Sequence, residues 1–359
     1  MNRVSSFNEW DPLEEVIVGR LEHAMLPSWL TITRATIPMD SAFLARLEAR
    51  ASKATSYGQE RIEKAEVELA GFIKLLESAG VTVRRPAVAD HGRPYRSPDW
   101  EVVSGICTAN PRDVFLVIGD EIIEAPMAHR DRYYEMLPYR PLLNEYFHAG
   151  ARWTSAPKPQ LSDALYDSTY QLPAPGEPMR YVTTEAEPVF DAADFVRCGR
   201  DIFVQRSHVT NLSGIEWLRR HLGHEYRIHE IHSTCRQAIH IDTTFMPLAP
   251  GKLLVNPNFL DVNTLPEIVR KWDILLAPPP VVPDHQANLP VSVWMNLNVL
   301  MLDEKHVVVE ASQEPTMRAL EKMGLEPVPC PFTHYYPFGG SFHCATLDVR
   351  RRGTLQSYF

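Results

Sequence analysis

Short apolar runs rich in branched residues recur along almost the whole of this 359-residue chain. They are Val16-Ile17-Val18, Val81-Thr82-Val83, Val114-Phe115-Leu116-Val117, Ile202-Phe203-Val204, Leu253-Leu254-Val255, Ile274-Leu275-Leu276, Val299-Leu300-Met301 and Val307-Val308-Val309. Their length and composition predict buried strands. Helical patterns lie between some of them. From Gln59 to Ala79, Ile62, Leu69, Phe72, Ile73 and Leu76 share one stripe before Gly80 stops the helix. Ser213 with Glu216 three residues on reads as a capping box that opens a helix through Trp217 and Leu218, and Gly324 closes one containing Met317 and Leu320. Strand and helix therefore alternate, which predicts an α/β fold. A doubly wound nucleotide-binding sheet is poorly supported, because no Gly-rich strand-to-helix turn occurs. Gln160 to Pro188 reads either as a linker or as a long loop, and Pro278-Pro279-Pro280 with Pro283 and Pro290 as a second loop. Composition does not shift across either, so the expectation is one domain over residues 1–359.

Composition narrows the class of function. With 45% hydrophobic and 23% charged residues, the chain can bury an ordinary core and is not of the disordered type. A formal charge of −9 disfavours nucleic acid or an anionic membrane as partner, since both require a concentrated basic face. No apolar run approaches the ~20 residues that span a bilayer, and the first residues lack a signal-type segment. Five cysteines, odd in number and without a C-x-x-C pair, argue against a disulfide framework or a zinc ribbon. A cytoplasmic protein with free thiols is expected.

Several residues could carry chemistry. In Gly339-Gly340-Ser341-Phe342-His343-Cys344-Ala345-Thr346, strand alternation would put Phe342, Cys344 and Thr346 on one face and His343 on the other. Cys344 is then either a small buried hydrophobe or a nucleophile that needs a base from elsewhere. In Ile239-His240-Ile241-Asp242-Thr243-Thr244, His240, Asp242 and Thr244 would share a face and project an imidazole and a carboxylate together. Two further acidic clusters are Glu187 to Asp194 and Pro111-Arg112-Asp113. Each acid taken alone fits a turn or a helix start. His229, His232 and His240 with Cys235 have metal-ligand residue types but complete no standard zinc spacing, so no metal is expected. Arg350-Arg351-Arg352 reads as a solvated or salt-bridged strand end.

Together these pieces resemble the arginine amidinotransferases, the family of glycine amidinotransferase and inosamine-phosphate amidinotransferase. The resemblance begins at Asn8-Glu9-Trp10-Asp11-Pro12-Leu13-Glu14-Glu15-Val16-Ile17-Val18-Gly19 and continues through Pro111-Arg112-Asp113 and Glu121-Ile122-Ile123-Glu124-Ala125-Pro126-Met127. It resumes at Phe190-Asp191-Ala192-Ala193-Asp194, at His240-Ile241-Asp242, and from Gly340 through Arg351-Arg352-Gly353-Thr354-Leu355. It implies the pentein fold, an α/β propeller of five pseudo-repeated ββαβ modules around a polar central channel. It also implies a nucleophile at Cys344, an acid/base at His240, an orienting carboxylate at Asp191, and guanidinium-binding carboxylates at Asp113 and Asp242. Paired carboxylates suit a planar, cationic guanidinium, which they can hold in bidentate fashion while a thiolate approaches its central carbon. The implied reaction is ping-pong transfer from arginine to an amine through an amidino-cysteine, without metal or organic cofactor, in a homodimer.

One departure bears on the substrate. The family places an arginine two residues beyond an Asn-Pro dipeptide, where it clamps a substrate carboxylate, but Asn256-Pro257-Asn258-Phe259 puts Phe259 there. Ser292 matches a substrate-contacting serine, whereas its neighbour is Val291, and the last member of the glycine triplet is Ser341. The expected acceptor is therefore a specialised-metabolite amine. Alternatives are glycine, giving guanidinoacetate, water in a hydrolase of the arginine deiminase type, or a catalytically dead guanidino-binding protein.

Overall fold

The computed structural model describes residues 3–37, 41–284 and 291–359, without the side chains of residues 41–43. All eight apolar runs contribute to strands. Fifteen strands form five three-stranded sheets: β1 (Leu13–Val18), β2 (Thr82–Arg84), β3 (Phe115–Ile118), β4 (Glu121–Glu124), β5 (Arg152–Ser155), β6 (Phe195–Cys198), β7 (Asp201–Gln205), β8 (Arg227–Ile231), β9 (Phe245–Ala249), β10 (Lys252–Val255), β11 (Asp273–Leu276), β12 (Leu300–Met301), β13 (His306–Glu310), β14 (Glu326–Cys330) and β15 (Thr346–Arg351). A short hairpin, Tyr95–Arg96 with Glu101–Val102, stands apart from them.

Each sheet repeats one plan: the middle strand pairs antiparallel with one neighbour and parallel with the other. A parallel neighbour requires a crossover. Helices Gln59–Ser78, Arg140–His148, Leu212–Leu222 and Glu314–Lys322 supply four of these, and the segment between β10 and β11 carries only a short turn, Val262–Thr264. Four sheets draw their strands from one continuous stretch. In the fifth, β15 pairs with β1, with Ile17 opposite Leu347 and Val18 opposite Thr346, so the last strand completes the first module. This is the ring of five modules that the resemblance implies.

Local chemistry explains where the helices stop. Gly80 and Gly324 have φ of +84° and +83°, left-handed settings that side-chain-bearing residues rarely adopt. The Gln59–Ser78 helix buries Ile62, Leu69, Phe72 and Leu76 of its expected stripe, with Ala65 beside them, and leaves Ile73 half-buried. The capping box at Ser213 is not formed. The helix starts at Leu212, and Asn211 caps it by accepting from the Gly214 N–H at 2.8 Å, while Glu216 is engaged by Arg219 and Arg220. The segment from Gln160 to Pro188 is a loop laid against the body of the protein: Leu161, Leu165 and Val182 are buried in one cluster with Ile32, Trp100 and Val209. Among the described residues no helix is long and apolar enough to cross a membrane.

Each sheet's inward strand is preceded by a tight turn. These turns are Pro111–Val114 before β3, Ala192–Asp194 before β6, Ile241–Thr243 before β9, Met295–Leu297 before β12, and the turn around Phe342–Ala345 before β15. Several of them pack directly on one another. Beneath them lies a buried ion-pair lattice. Arg197 holds Glu9 with two bonds of 2.8 Å and Asp348 with another of 2.8 Å; Arg112 reaches Glu9 and Asp348, and Arg351 reaches Asp348 at 2.6 Å. The arginines hold Glu9 and Asp348 well below the usual carboxylate range despite burial. All three residues of the Arg350–Arg352 run are ion-paired, the salt-bridged form of the expected strand end, and Arg351 is a buried strut of the lattice; removing one member of such a lattice strands a buried charge, at a cost of about 3–5 kcal/mol.

Candidate active site

The leading turns converge on one cavity of about 340 Å³ lined by Asp113, His240, Asp242, Phe259, Ser292 and Cys344, among others. The turn geometry, not strand alternation, aims these groups. Residues 241–243 form a short 3-10 turn, and His240 before it has φ +59° and ψ 138°. That backbone costs on the order of 1–3 kcal/mol in a residue with a side chain, and Gln205 Nε2 donates to the His240 carbonyl at 3.3 Å. Cys344 likewise lies in a turn just ahead of β15. Its neighbour Phe342 is fixed in an aromatic cluster, with ring centroids 4.5 Å from Phe332 and 5.0 Å from Phe72. Gly340 lets this turn close: a Cβ there would lie 2.3 Å from the Cys344 Cβ and 2.9 Å from its Sγ.

The expectation of two alternating strand faces is therefore corrected in its geometry at both motifs. His343 does not line the cavity, yet it meets the same Asp242 Oδ2 that Cys344 Sγ contacts and is no bystander. Its ring nitrogens sit 2.8 Å from Asp242 Oδ2 and 3.3 Å from Glu9 Oε2, tying the site to the ion-pair lattice.

Polar atoms of Asp113, His240 and Cys344 lie within 4.8 Å of one another. His240 Nε2 is 3.1 Å from Asp191 Oδ2, and Nδ1 is 3.5 Å from Asp113 Oδ1. Burial alone would push this imidazole down, but Asp113 and Asp191 overcome it and raise its pKa to about 10. Among the described residues His229, His232 and Cys235 do not join His240 in its cluster with Asp113 and Cys344, and His229 is bonded to Asp201 at 2.7 Å. Cys344 Sγ donates to Asp242 Oδ2 at 3.2 Å and accepts from Asn298 Nδ2 at 3.1 Å. Burial, followed by the charges of Asp242 and Asp113, pushes its thiol well above the ordinary value. Burial also raises Asp113, against the pull of His240 and Arg132, whereas Asp242 is lowered because the His343 bond and charge outweigh burial.

Three groups here were not singled out from the sequence. Arg132 grips Glu135 through two bonds of 2.6 and 2.8 Å, reaches Asp113 Oδ2 at 2.9 Å and lies 3.6 Å from Asp191 Oδ2, so one cation braces both carboxylates beside His240. The i,i+3 spacing of Arg132 and Glu135 resembles an ordinary surface pair. Asn298 stands just before the Val299-Leu300-Met301 run as Asp113 stands before Phe115, and that shared placement is the signal that could have found it. Arg132 is also the one lysine or arginine lining the cavity among the described residues, and its guanidinium is already engaged. Phe259 presents an aromatic wall, and Ser292 Oγ accepts from the Trp294 N–H at 3.2 Å beside Val291.

No family model matches the chain. An amidinotransferase of the saxitoxin pathway from Microseira wollei superposes with a TM-score of 0.94 at 60% identity, over 99% of this chain and 100% of that one. The inosamine-phosphate amidinotransferase of Streptomyces griseus gives 0.89 at 38% identity, over 100% and 99% of the respective chains. A dimethylarginine dimethylaminohydrolase, at 11% identity and a TM-score of 0.57, shares the fold. The ring of five modules around these turns defines a pentein-fold enzyme. Over 355 residues, 99% of the chain, it is 47% identical to an L-arginine:L-lysine amidinotransferase of Pseudomonas savastanoi pv. phaseolicola, covering 96% of that protein. It is also 45% identical over 368 residues to the mitochondrial glycine amidinotransferase of Danio rerio, covering 99% of this chain and 85% of that one. The chain belongs to the arginine amidinotransferase family, enzymes that transfer amidino groups.

Proposed function

We propose that the enzyme moves the amidino group of arginine, or a close guanidino analogue, to an amine by a ping-pong route through an amidino-cysteine at Cys344. The observation that carries this reading is the convergence of a thiol, a cationic imidazole and paired carboxylates in one buried cavity. Asp113 and Asp242 receive the guanidinium; Asp191 orients His240; Ser292 contacts the substrate. A bound guanidinium neutralises the two carboxylates that oppose ionisation of Cys344, so the thiol proton is released to solvent as donor binds. The thiolate adds to the guanidino carbon, and protonated His240 gives its Nδ1 proton to the departing nitrogen as the carbon–nitrogen bond breaks. Ornithine leaves, with neutral His240 and a cationic amidino-thioether behind it. A neutral acceptor amine then attacks; His240 takes its proton, and the thiolate departs.

The acceptor reading follows from Phe259 and the engaged state of Arg132: a substrate carboxylate meets no uncommitted Lys or Arg on the cavity wall among the described residues. Amines of specialised metabolism with an uncharged tail suit this wall better than glycine. The 45% identity to glycine amidinotransferase is the observation that favours glycine as the second reading. We further read residues 1–359 as one domain and the enzyme as a cytoplasmic homodimer; its five free cysteines suit a reducing compartment, and light scattering tests the dimer.

The deciding experiment incubates enzyme with arginine and no acceptor, quenches it, and weighs the peptides. One amidino group should appear on the peptide holding Cys344, and amines added afterwards should discharge it. Labelling on Cys107 or Cys235 instead, or undiminished turnover in Cys344→Ser, would overturn the proposal.

A further inference from the structure

We propose that Asn298 is a catalytic residue of the transfer, its side-chain N–H stabilising the sulfur of Cys344 as a thiolate in both half-reactions. This rests on the reading of Cys344 as nucleophile. The orientation of the amide is settled by its surroundings. Asn298 Oδ1 accepts from the backbone N–H groups of Ser341 at 3.1 Å and Cys344 at 3.2 Å, so a flipped amide would set an NH₂ group against two donors. Nδ2 is thereby obliged to face Sγ, at 3.1 Å. The side chain is fully buried, and neither contact is open to competition from bulk water.

The position is as telling as the bond. Three of the other leading turns deliver carboxylates to the centre: Asp113, Asp191 with Asp194, and Asp242. The turn ahead of β12 delivers a neutral amide at the place where it meets the sulfur. A carboxylate there would repel a thiolate that already faces Asp242, whereas an N–H offers it a donor. The Asn298 bond favours the ionised sulfur, against burial and the two acids. When the thiolate attacks arginine its charge is lost, and when acceptor displaces it the charge returns. A fixed donor serves the second event as it serves the first, without moving. The same amide ties both ends of the 341–344 turn, so the donor and the nucleophile are positioned by one group.

The test is Asn298→Asp, which keeps an acceptor of the same reach for the two backbone N–H groups but removes the donor to sulfur. The expected result is a fall of roughly 10²–10³ in kcat, a KM for arginine changed by less than about threefold, and a shift of the pH midpoint for iodoacetamide alkylation of Cys344 to higher pH. A folded Asn298→Asp enzyme with wild-type kcat and alkylation profile would overturn the proposal. If that variant does not fold, wild-type enzyme labelled with ¹⁵N-asparagine decides. The side-chain amide signal that moves in Cys344→Ser should titrate with the alkylation midpoint, and a pH-invariant signal overturns the idea. Wild-type enzyme that carries no amidino group on Cys344 removes the nucleophile reading itself, whereas a labelled wild type with an unimpaired Asn298→Asp enzyme defeats this proposal alone.

Discussion

Replacing Asp191 by asparagine removes one of the charges that, with Asp113, keep His240 protonated. The imidazole pKa stands at about 10 against an ordinary 6.5. At about 1.36 kcal/mol per decade, that preference for the charged form is worth roughly 5 kcal/mol. Its sign is that of a cation gaining partners: the stabilisation is fully present below 6.5 and is lost as pH rises through about 10. In the proposed route donor cleavage needs the protonated ring, so its rate should hold to about pH 10 and fall above it. Asp113 and Asp191 are the two carboxylates in contact with the ring nitrogens, and in Asp191→Asn the amide oxygen would still accept from Nε2–H. Removing one charge of the two takes away on the order of 2–3 kcal/mol and should bring the falling limb down by roughly two pH units. Below that limb the rate should stay within about tenfold of wild type, since a neutral acceptor replaces a charged one. The assay is single-turnover release of ornithine from arginine, quenched at a series of pH values. A limb that stays near 10 in Asp191→Asn, at full rate, would refute the assignment of this carboxylate to His240.

Two further outcomes follow from the cavity walls. Phe259→Arg should raise kcat/KM for glycine, relative to an amine with an uncharged tail, by about tenfold to a hundredfold, the worth of a charge-assisted bond to carboxylate; an unchanged ratio would show that the ring does not face the acceptor. Gly340→Ala should cut amidination of Cys344 by about 100-fold or more, because the added methyl would lie 2.3 Å from the Cys344 Cβ and 3.1 Å from Asn110 Oδ1. Thermal melting should show a loss of only about 1–3 kcal/mol, and a fully active alanine enzyme would mean the turn yields more than its packing suggests.

The strands were the most legible part of the sequence, because burial on both faces selects unbroken branched runs such as Leu253-Leu254-Val255 whatever their neighbours are. Gln59–Ser78 was legible for the complementary reason, a stripe that repeats over several turns and ends at a glycine. The residues singled out from the sequence and the family resemblance do meet in and beside one cavity, but the geometry that brings them there was not legible. His240 and Asp242 were expected to share a strand face. They reach the same cavity from a 3-10 turn preceded by a positive φ, and no local pattern in Ile239-His240-Ile241 announces that backbone. The missed cap at Asn211 has a similar origin: Ser213 and Glu216 satisfy the capping-box spacing, but Asn211 two residues earlier wins the Gly214 N–H. Arg132 and Glu135 look like an ordinary i,i+3 pair, and what distinguishes Arg132 is its contact with Asp113 and Asp191 from segments far apart in the chain; Asn298 is marked only by its place just ahead of an apolar run.

The pairing of β15 with β1 has a consequence for how catalytic competence arises during synthesis. Asp113, Asp191, His240 and Asp242 all precede the segment that carries the thiol, and that segment is seated only when a late strand returns to one made more than 300 residues earlier. Closure over so long a span is entropically late, since local sheets can form before it. A partly synthesised chain could therefore gather the acids and the imidazole while still lacking the thiol of Cys344. On the role proposed for Cys344, the step that finishes the ring is also the step that arms the enzyme.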